Sequence, residues 1–214
     1  LNVDRPSAIV SRDLRLECSE RLDAAGGVVL DLSNAEIDEL AERLVSEQVK
    51  AVAVVFLFSY LNPDHERRVA NRLREKLNVP ITLSSDVLPE FREYERTSTT
   101  AVCASLRPVI EQYMRNLAEQ SIGMGITPEW QIMQSNGTVI SATQAQKEPV
   151  RILLSGPAAG VQGAKTIGQA MAAPNLITMD MGGASCDVAL IQNGEIGQTT
   201  TGSVGDHPVA VRMN

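Results

Sequence analysis

The sequence predicts an α/β protein of two layered units, and three observations lead there. Between residues 33 and 83, stretches with apolar side chains every three or four positions alternate with short apolar runs, as helices packed on a sheet require. A long helical period occupies residues 96–120. Residues 176–191 then read as a strand, a Gly-Gly turn and a second strand. The first unit is placed at residues 1–95 and the second at residues 96–214.

Residues 14–21 and 28–32 flank Ala24, Ala25, Gly26 and Gly27, which predicts a β-hairpin. Ser33 with Glu36 three positions later is a capping-box signature. Ile37, Leu40, Ala41, Leu44 and Val45 then fall on one face of a helix over residues 35–48. Residues 51–58 are apolar without alternation, as in a strand covered on both faces of a parallel sheet. Asn62 as N-cap and Pro63 at the first helical position open the next helix, striped by Val69, Ala70, Leu73 and Leu77. Residues 80–83 give another short strand, and right-handed crossover folds this α-β-α-β run into one layered unit.

Residues 84–95 turn polar around Pro89, Phe91 and Tyr94 and read as a linker or surface loop. Within them and just beyond, Glu90, Arg92, Glu93, Glu95 and Arg96 read as a solvated charge run, with interdomain ion pairing as the functional alternative. The helix over residues 96–120 carries Val102, Leu106, Ile110, Tyr113, Met114 and Leu117 at helical intervals and bridges the two units. Strands at residues 130–133 and 150–154 enclose a Ser135-Asn136-Gly137 turn and a short helix at residues 142–146. A helix over residues 155–170 has Ser155 as N-cap, and the hairpin of residues 176–191 continues into residues 195–201.

A formal net charge of -7 leaves no basic face for a phosphate polymer or an acidic membrane, and 3% aromatic residues are too few to stack on bases. The longest apolar run, residues 51–58, is too short to cross a bilayer. These features predict a soluble protein without nucleic-acid or membrane partners. Cys18, Cys103 and Cys186 lie far apart, and with no signal peptide they predict free thiols in a reducing compartment, the cytoplasm. The chain opens at Leu1 and stops at Asn214 just after a strand-like stretch at residues 208–211, so both ends read as cuts in a longer protein.

Three constellations carry chemical meaning. In residues 180–187, Asp180 ends an apolar run, Gly182 and Gly183 form a turn with Ala184 and Ser185, and Asp187 opens the next run. Glycines let backbone N–H groups approach an anion, and carboxylates beside them suggest Mg²⁺ held through water. The plain alternative is a hairpin whose Asp180 stabilises its own turn. The second constellation places Gly156, Gly160 and Gly163 on one face of a helix, where each glycine costs about 1 kcal/mol relative to alanine. That cost implies tight packing against another backbone, or the approach of a ligand. The third, Gln134 to Gly137, gathers polar groups at the end of an apolar strand, or is an ordinary turn. His65 and His207 have no neighbours at zinc-ligand spacing. No Walker A, G-x-G-x-x-G or G-x-S-x-G sequence occurs.

Residues 58–63 (FSYLNP), 84–99 (SSDVLPEFREYERTST), 133–137 (MQSNG), 153–161 (LLSGPAAGV) and 180–188 together resemble, in order, the signatures of the hydantoinase A/5-oxoprolinase family. The resemblance implies an ATP-dependent subunit of the hydantoinase, 5-oxoprolinase or acetone carboxylase type. It implies that the second unit is half of an actin/acetate-kinase-like (ribonuclease H-like) domain, in which Gly-rich hairpins from two domains clasp ATP.

By that resemblance Asp180 holds Mg²⁺, the Gly182, Gly183, Ala184 and Ser185 amides hold phosphate, Asp187 orients the metal water or the hairpin, and Gly156 and Gly160 line the cleft. The substrate would be a cyclic amide or a ketone whose carbonyl is phosphorylated, and the partner a hydantoinase B-type subunit. The family's usual G-G-T-S-T-D is altered here at Ala184 and Cys186, which removes two hydroxyls. The fragment alone, with one of two clasps, is expected to be inactive. The competing expectation is a non-catalytic actin-like module retained for assembly.

Overall fold

A computed structural model describes residues 8–127, 129–183 and 185–213, and these form two compact units. One unit holds the chain up to Glu111 together with Ser203–Ala210, and the other holds Gln112–Gly202 and Val211 onward.

In the first unit a short hairpin pairs β1 (Arg21–Leu22) antiparallel with β2 (Val28–Leu30). The preceding residues are not the expected long strand. Ser19 N–H donates to Glu36 Oε1 at 2.8 Å, and Leu16 and Cys18 pack on the core, so the segment is held by a helix and not by a strand partner. That helix, α1 (Asn34–Ser46), is capped by Ser33, whose hydroxyl accepts from Glu36 N–H at 3.4 Å. The Glu36 carboxylate is engaged by Ser19, so only half of the capping box forms.

Strand β3 (Val52–Val54) follows, then α2 (Asp64–Arg74), then β4 (Ile81–Leu83), which pairs parallel to β3 with Val54 opposite Leu83. Ile37, Ala41 and Leu44 of α1 meet Val69, Ala70 and Leu73 of α2 and Val54, Ile81 and Leu83 of the sheet in one buried cluster. The layered α-β-α-β order is therefore present, and so are the expected helical stripes except that Val45 of α1 is exposed.

Strand β3 is shorter than residues 51–58 because polar side chains take its backbone beyond Val54. Phe56 N–H donates to Glu66 Oε1 at 3.0 Å, and Arg96 Nη2 donates to the carbonyls of Phe56 (2.8 Å) and Leu57 (2.7 Å). Helix α2 starts one position later than expected: its N-cap is Pro63 where Asn62 was expected, and Asn62 Oδ1 accepts from Asp64 N–H at 3.1 Å. The stretch expected as a linker contains α3 (Ser84–Val87), with Val87 and Leu88 buried, and leads into α4 (Glu93–Gly123).

The second unit receives the far part of α4. It continues with the antiparallel hairpin β5 (Gln131–Met133) and β6 (Val139–Ser141), then α5 (Ala142–Lys147). Residues 150–154 do not form the expected strand: Pro149–Ile152 is a 3₁₀ turn. Ser135 satisfies this segment locally, its N–H donating to Arg151 O at 2.8 Å and its hydroxyl accepting from Leu154 N–H at 3.0 Å. Helix α6 (Ser155–Ala170) follows, its N-cap being Leu154, with no side-chain cap, where Ser155 was expected.

A three-stranded antiparallel sheet of β7 (Leu176–Met181), β8 (Cys186–Gln192) and β9 (Glu195–Ile196) packs beside α6. The β8–β9 turn places Asn193 and Gly194 at positive φ (53° and 78°), the conformation that favours an Asn-Gly pair. The chain closes with β10 (Gly202–Val204) and β11 (His207–Val209). Ala210 N–H then donates to Thr99 Oγ1 of α4 at 2.9 Å. No helix among the described residues is long and apolar enough to cross a membrane, and Cys18, Cys103 and Cys186 are not joined in a disulfide.

Candidate functional site

Strand alternation decides what the β7–β8 hairpin presents. The register sets Asp180 opposite Asp187, Thr178 opposite Ala189 and Leu176 opposite Ile191. These pairs share one sheet face. The other face carries Ile177, Met179 and Met181 opposite Leu190, Val188 and Cys186, all exposed.

Asp180 and Asp187 line a cavity of about 570 Å³ whose opposite wall is α6, through Pro157, Gly160 and Val161. Two carboxylates directly opposite each other repel, so the pair is better stabilised with a cation between or beside it. Its lining contains no lysine or arginine. Among the described residues no group of three or more His, Cys, Asp or Glu side chains could hold a metal ion. The carboxylates lining this cavity are those of Asp180 and Asp187. That set suits Mg²⁺, which keeps several waters and commonly takes one or two carboxylates plus phosphate oxygens.

The glycine face of α6 is open. A methyl group placed at Gly156, Gly160 or Gly163 would meet no heavy atom within 4 Å, so the tight packing expected of this face is absent. Gly168, outside that set, is the helix glycine in close contact: a Cβ there would lie 2.5 Å from Leu176 Cδ1 and 2.9 Å from the Ala173 carbonyl. At the hairpin tip, Gly182 N–H donates to Ser185 O at 3.0 Å, which closes the turn. Gly183 has open space around its Cα, and Ala184 lies outside the described residues. Among the predicted site residues, Asp180, Asp187 and Gly160 border the cavity together, whereas Gly156, Gly182, Gly183 and Ser185 do not line it.

Gln134 to Gly137 form the β5–β6 turn, with Gln134 N–H donating to Thr138 O at 2.7 Å and Gln134 Nε2 to Thr138 Oγ1 at 2.7 Å. Gln134 thus spends its polar groups within the hairpin, whereas Ser135 bonds Arg151 and Leu154 outside it. In the first unit, sequence reasoning missed a buried polar centre. Glu66 is fully buried and accepts from Phe56 N–H, from both the hydroxyl and N–H of Ser85 (2.7 and 2.9 Å), and from the Ser84 hydroxyl (2.6 Å).

Arg96, expected on a solvated charge run, is also fully buried. Burial lowers its guanidinium from the ordinary value, opposed by the charges of Glu66 and Glu93. Ser98, Thr99 and Thr100, which follow Arg96 on α4, are buried as well, so polar side chains occupy the inner face of this helix.

Residues 96–213 match the hydantoinase/oxoprolinase family profile, and residues 2–77 match the profile of the hydantoinase/oxoprolinase N-terminal region. The caprolactamase subunit alpha of Pseudomonas jessenii is 34% identical over 187 residues, which cover 87% of this chain and 27% of that one. The crystal structure of the ATP-dependent caprolactamase from the same organism superimposes with a TM-score of 0.88 at 30% identity, over 99% of this chain and 31% of that chain. A nucleotide-free acetone carboxylase structure gives a TM-score of 0.80 at 29% identity, over 92% of this chain and 28% of that one. The 5-oxoprolinase of Saccharomyces cerevisiae is 32% identical over 172 residues, 79% of this chain and 13% of that protein. The chain thus spans less than a third of the length of each of these relatives.

Proposed function

Because the chain belongs to the hydantoinase/oxoprolinase family, we propose that it is the part of an ATP-dependent subunit that supplies one phosphate clasp for activating the carbonyl of a cyclic amide or ketone. The observation that carries this reading is the Asp180–Asp187 cross-strand pair, set on one face of a hairpin and lining a cavity walled by a glycine-bearing helix. The likeness to an ATP-dependent caprolactamase and to a 5-oxoprolinase supports the substrate class, and the likeness to acetone carboxylase supports the ketone alternative.

Amide resonance makes a lactam or hydantoin carbonyl a poor electrophile. ATP, bound with its Mg²⁺, supplies the phosphoryl group that turns the carbonyl oxygen into a leaving group. Asp180 and Asp187 would hold the Mg²⁺ through water. The Gly182 amide closes the turn itself, so among the described residues of the turn the Gly183 and Ser185 amides are the ones left to meet phosphate oxygens. Gly160 keeps α6 clear of a side chain at that point of the cavity wall, where the nucleotide would approach, and Gly156, off the cavity, leaves the start of that helix open. The hairpin therefore positions and neutralises charge, which is most of what phosphoryl transfer asks of a protein.

The whole subunit would act in the cytoplasm with a hydantoinase B-type partner, in keeping with the subunit naming of the caprolactamase relative. The test is ATP hydrolysis by the full-length protein with its partner, with 5-oxoproline, hydantoin, ε-caprolactam or acetone added in turn. Hydrolysis that depends on one of these compounds and is lost in Asp180→Asn supports the reading. A stable complex that never turns over nucleotide supports a non-catalytic assembly module, to which the Ala184 and Cys186 departures would then point.

A further inference from the structure

His65, in the first turn of α2, is 2% exposed and stands between two carboxylates. Its Nδ1 is 2.7 Å from Glu20 Oε2, and because a carboxylate can only accept, Nδ1 carries a proton. On the other side the buried Nε2 lies 3.2 Å from Asp31 Oδ1, without a hydrogen bond among the described residues. A neutral ring would aim the Nε2 lone pair at that oxygen, two acceptors facing each other away from water. The imidazolium turns the same contact into an attraction. One turn further along α2, Arg68 Nη1 donates to the same Asp31 oxygen.

The two carboxylates bracket the β1–β2 hairpin, Glu20 immediately before β1 and Asp31 immediately after β2. Leu22 is the one buried residue of these two strands, so the hairpin owes its place to ties at its tip and base. At the tip Asn62 Nδ2 donates to Gly26 O at 3.0 Å; at the base the tie is His65. We infer that His65 is a pH-sensitive latch: with protons on both ring nitrogens it binds both ends of the hairpin to α2, and on losing one it leaves the Asp31 end to Arg68 alone. The charged and titratable groups around the ring are Glu20, Asp31 and Arg68, with Cys18 and Glu36 beside Glu20. On α2 itself Asp64 and Glu66 flank His65, Glu66 being engaged by Phe56, Ser84 and Ser85. Hydrogen bonding from Arg68 holds the Asp31 carboxyl below its ordinary value, so it is ionised wherever histidine changes charge, from about pH 5 to pH 8. Burial, helped by the Glu36 and Glu20 charges, pushes the Cys18 thiol up to about 11, and it stays neutral over that range. The latch is therefore complete at the acid end of the range and is lost as pH rises through it.

The test is amide hydrogen exchange of the full-length protein, read by mass spectrometry from about pH 6 to about pH 9 and corrected for the intrinsic exchange rate at each pH. Over that range the protection of the peptide spanning residues 17–32 should fall by about fivefold or more, while that of residues 69–77 on and after α2 is held. Asp31→Asn offers an amide that can donate to a bare Nε2 or accept from a protonated one, and it should flatten the profile. His65→Gln should flatten it at the level of the wild type at high pH. Wild-type protection that does not change with pH overturns the inference, and so does a pH dependence that persists unaltered in Asp31→Asn. A loss shared equally by residues 69–77 also overturns it, since the whole unit and not the latch would then be responding.

Discussion

Asp180 and Asp187 are direct partners across the β7–β8 ladder, so two carboxylates occupy one position pair on one sheet face. Like charges so placed work against the hairpin, by about 0.5 kcal/mol on the usual scale of cross-strand pairs. Asp187→Asn should therefore stabilise the protein by about that amount in the absence of divalent cations, read as a higher urea midpoint. Millimolar Mg²⁺ should raise the wild-type midpoint and leave that of the variant nearly unchanged. A variant less stable than wild type without Mg²⁺ would show that the pair is not in repulsion.

Glu66 gathers four donors while fully buried, and removing the carboxylate strands all of them beside the Arg96 charge. Glu66→Ala should cost about 3–5 kcal/mol in chemical denaturation, and Glu66→Gln less, since the amide oxygen keeps some of the bonds. A loss below about 1 kcal/mol for the alanine variant would mean that water replaces the carboxylate without penalty.

The glycines of α6 separate into two kinds. At Gly163 an added methyl meets nothing, so Gly163→Ala should stabilise by about 1 kcal/mol through helix propensity. At Gly168 the same methyl collides with Leu176 and the Ala173 carbonyl, so Gly168→Ala should destabilise by about 1–3 kcal/mol. Thermal midpoints that move in the same direction for both variants would contradict the packing described for this helix.

How far these features could be read in advance depends on the range of the interactions that fix them. Helix α6 falls at Ser155–Ala170, the expected bounds, although its glycines weigh against helix propensity. Residues 150–154 read as a strand, yet Pro149–Ile152 forms a 3₁₀ turn. The decision lay with Ser135, distant in sequence, which takes up the backbone of that segment. Arg96 resembled its exposed neighbours in charge, yet its partners Phe56 and Leu57 lie some forty residues earlier and are invisible to any local pattern. At the candidate site the strand–turn–strand order was legible from the two apolar runs. That the carboxylates share the α6 side was a matter of register, and that the glycine face of α6 is open was a matter of tertiary packing.

Acid should weaken the first unit through its ion pairs. Hydrogen bonds from Arg72 hold the Asp38 carboxyl below its ordinary value of 3.8, with contacts of 2.8 Å and 2.7 Å from Nε and Nη2. A depressed folded value means that the contribution is complete above the unfolded value and is lost as pH falls through the folded one. The urea midpoint should therefore drop between about pH 5 and pH 2, and Arg72→Gln should flatten that part of the profile. Parallel profiles for variant and wild type would assign the acid sensitivity to other groups, beginning with Asp31, whose carboxyl is lowered by Arg68.

The central claim is that the hairpin bearing Asp180 is one jaw of an ATP clasp, and calorimetric titration of ATP into the full-length protein, with and without Mg²⁺, tests it most directly. The expected result is Mg²⁺-dependent binding that weakens by about tenfold or more in Asp180→Asn, while this 214-residue chain alone binds no tighter than about 1 mM. Full-length binding that is unaffected by Asp180→Asn, or that needs no divalent cation, would contradict it.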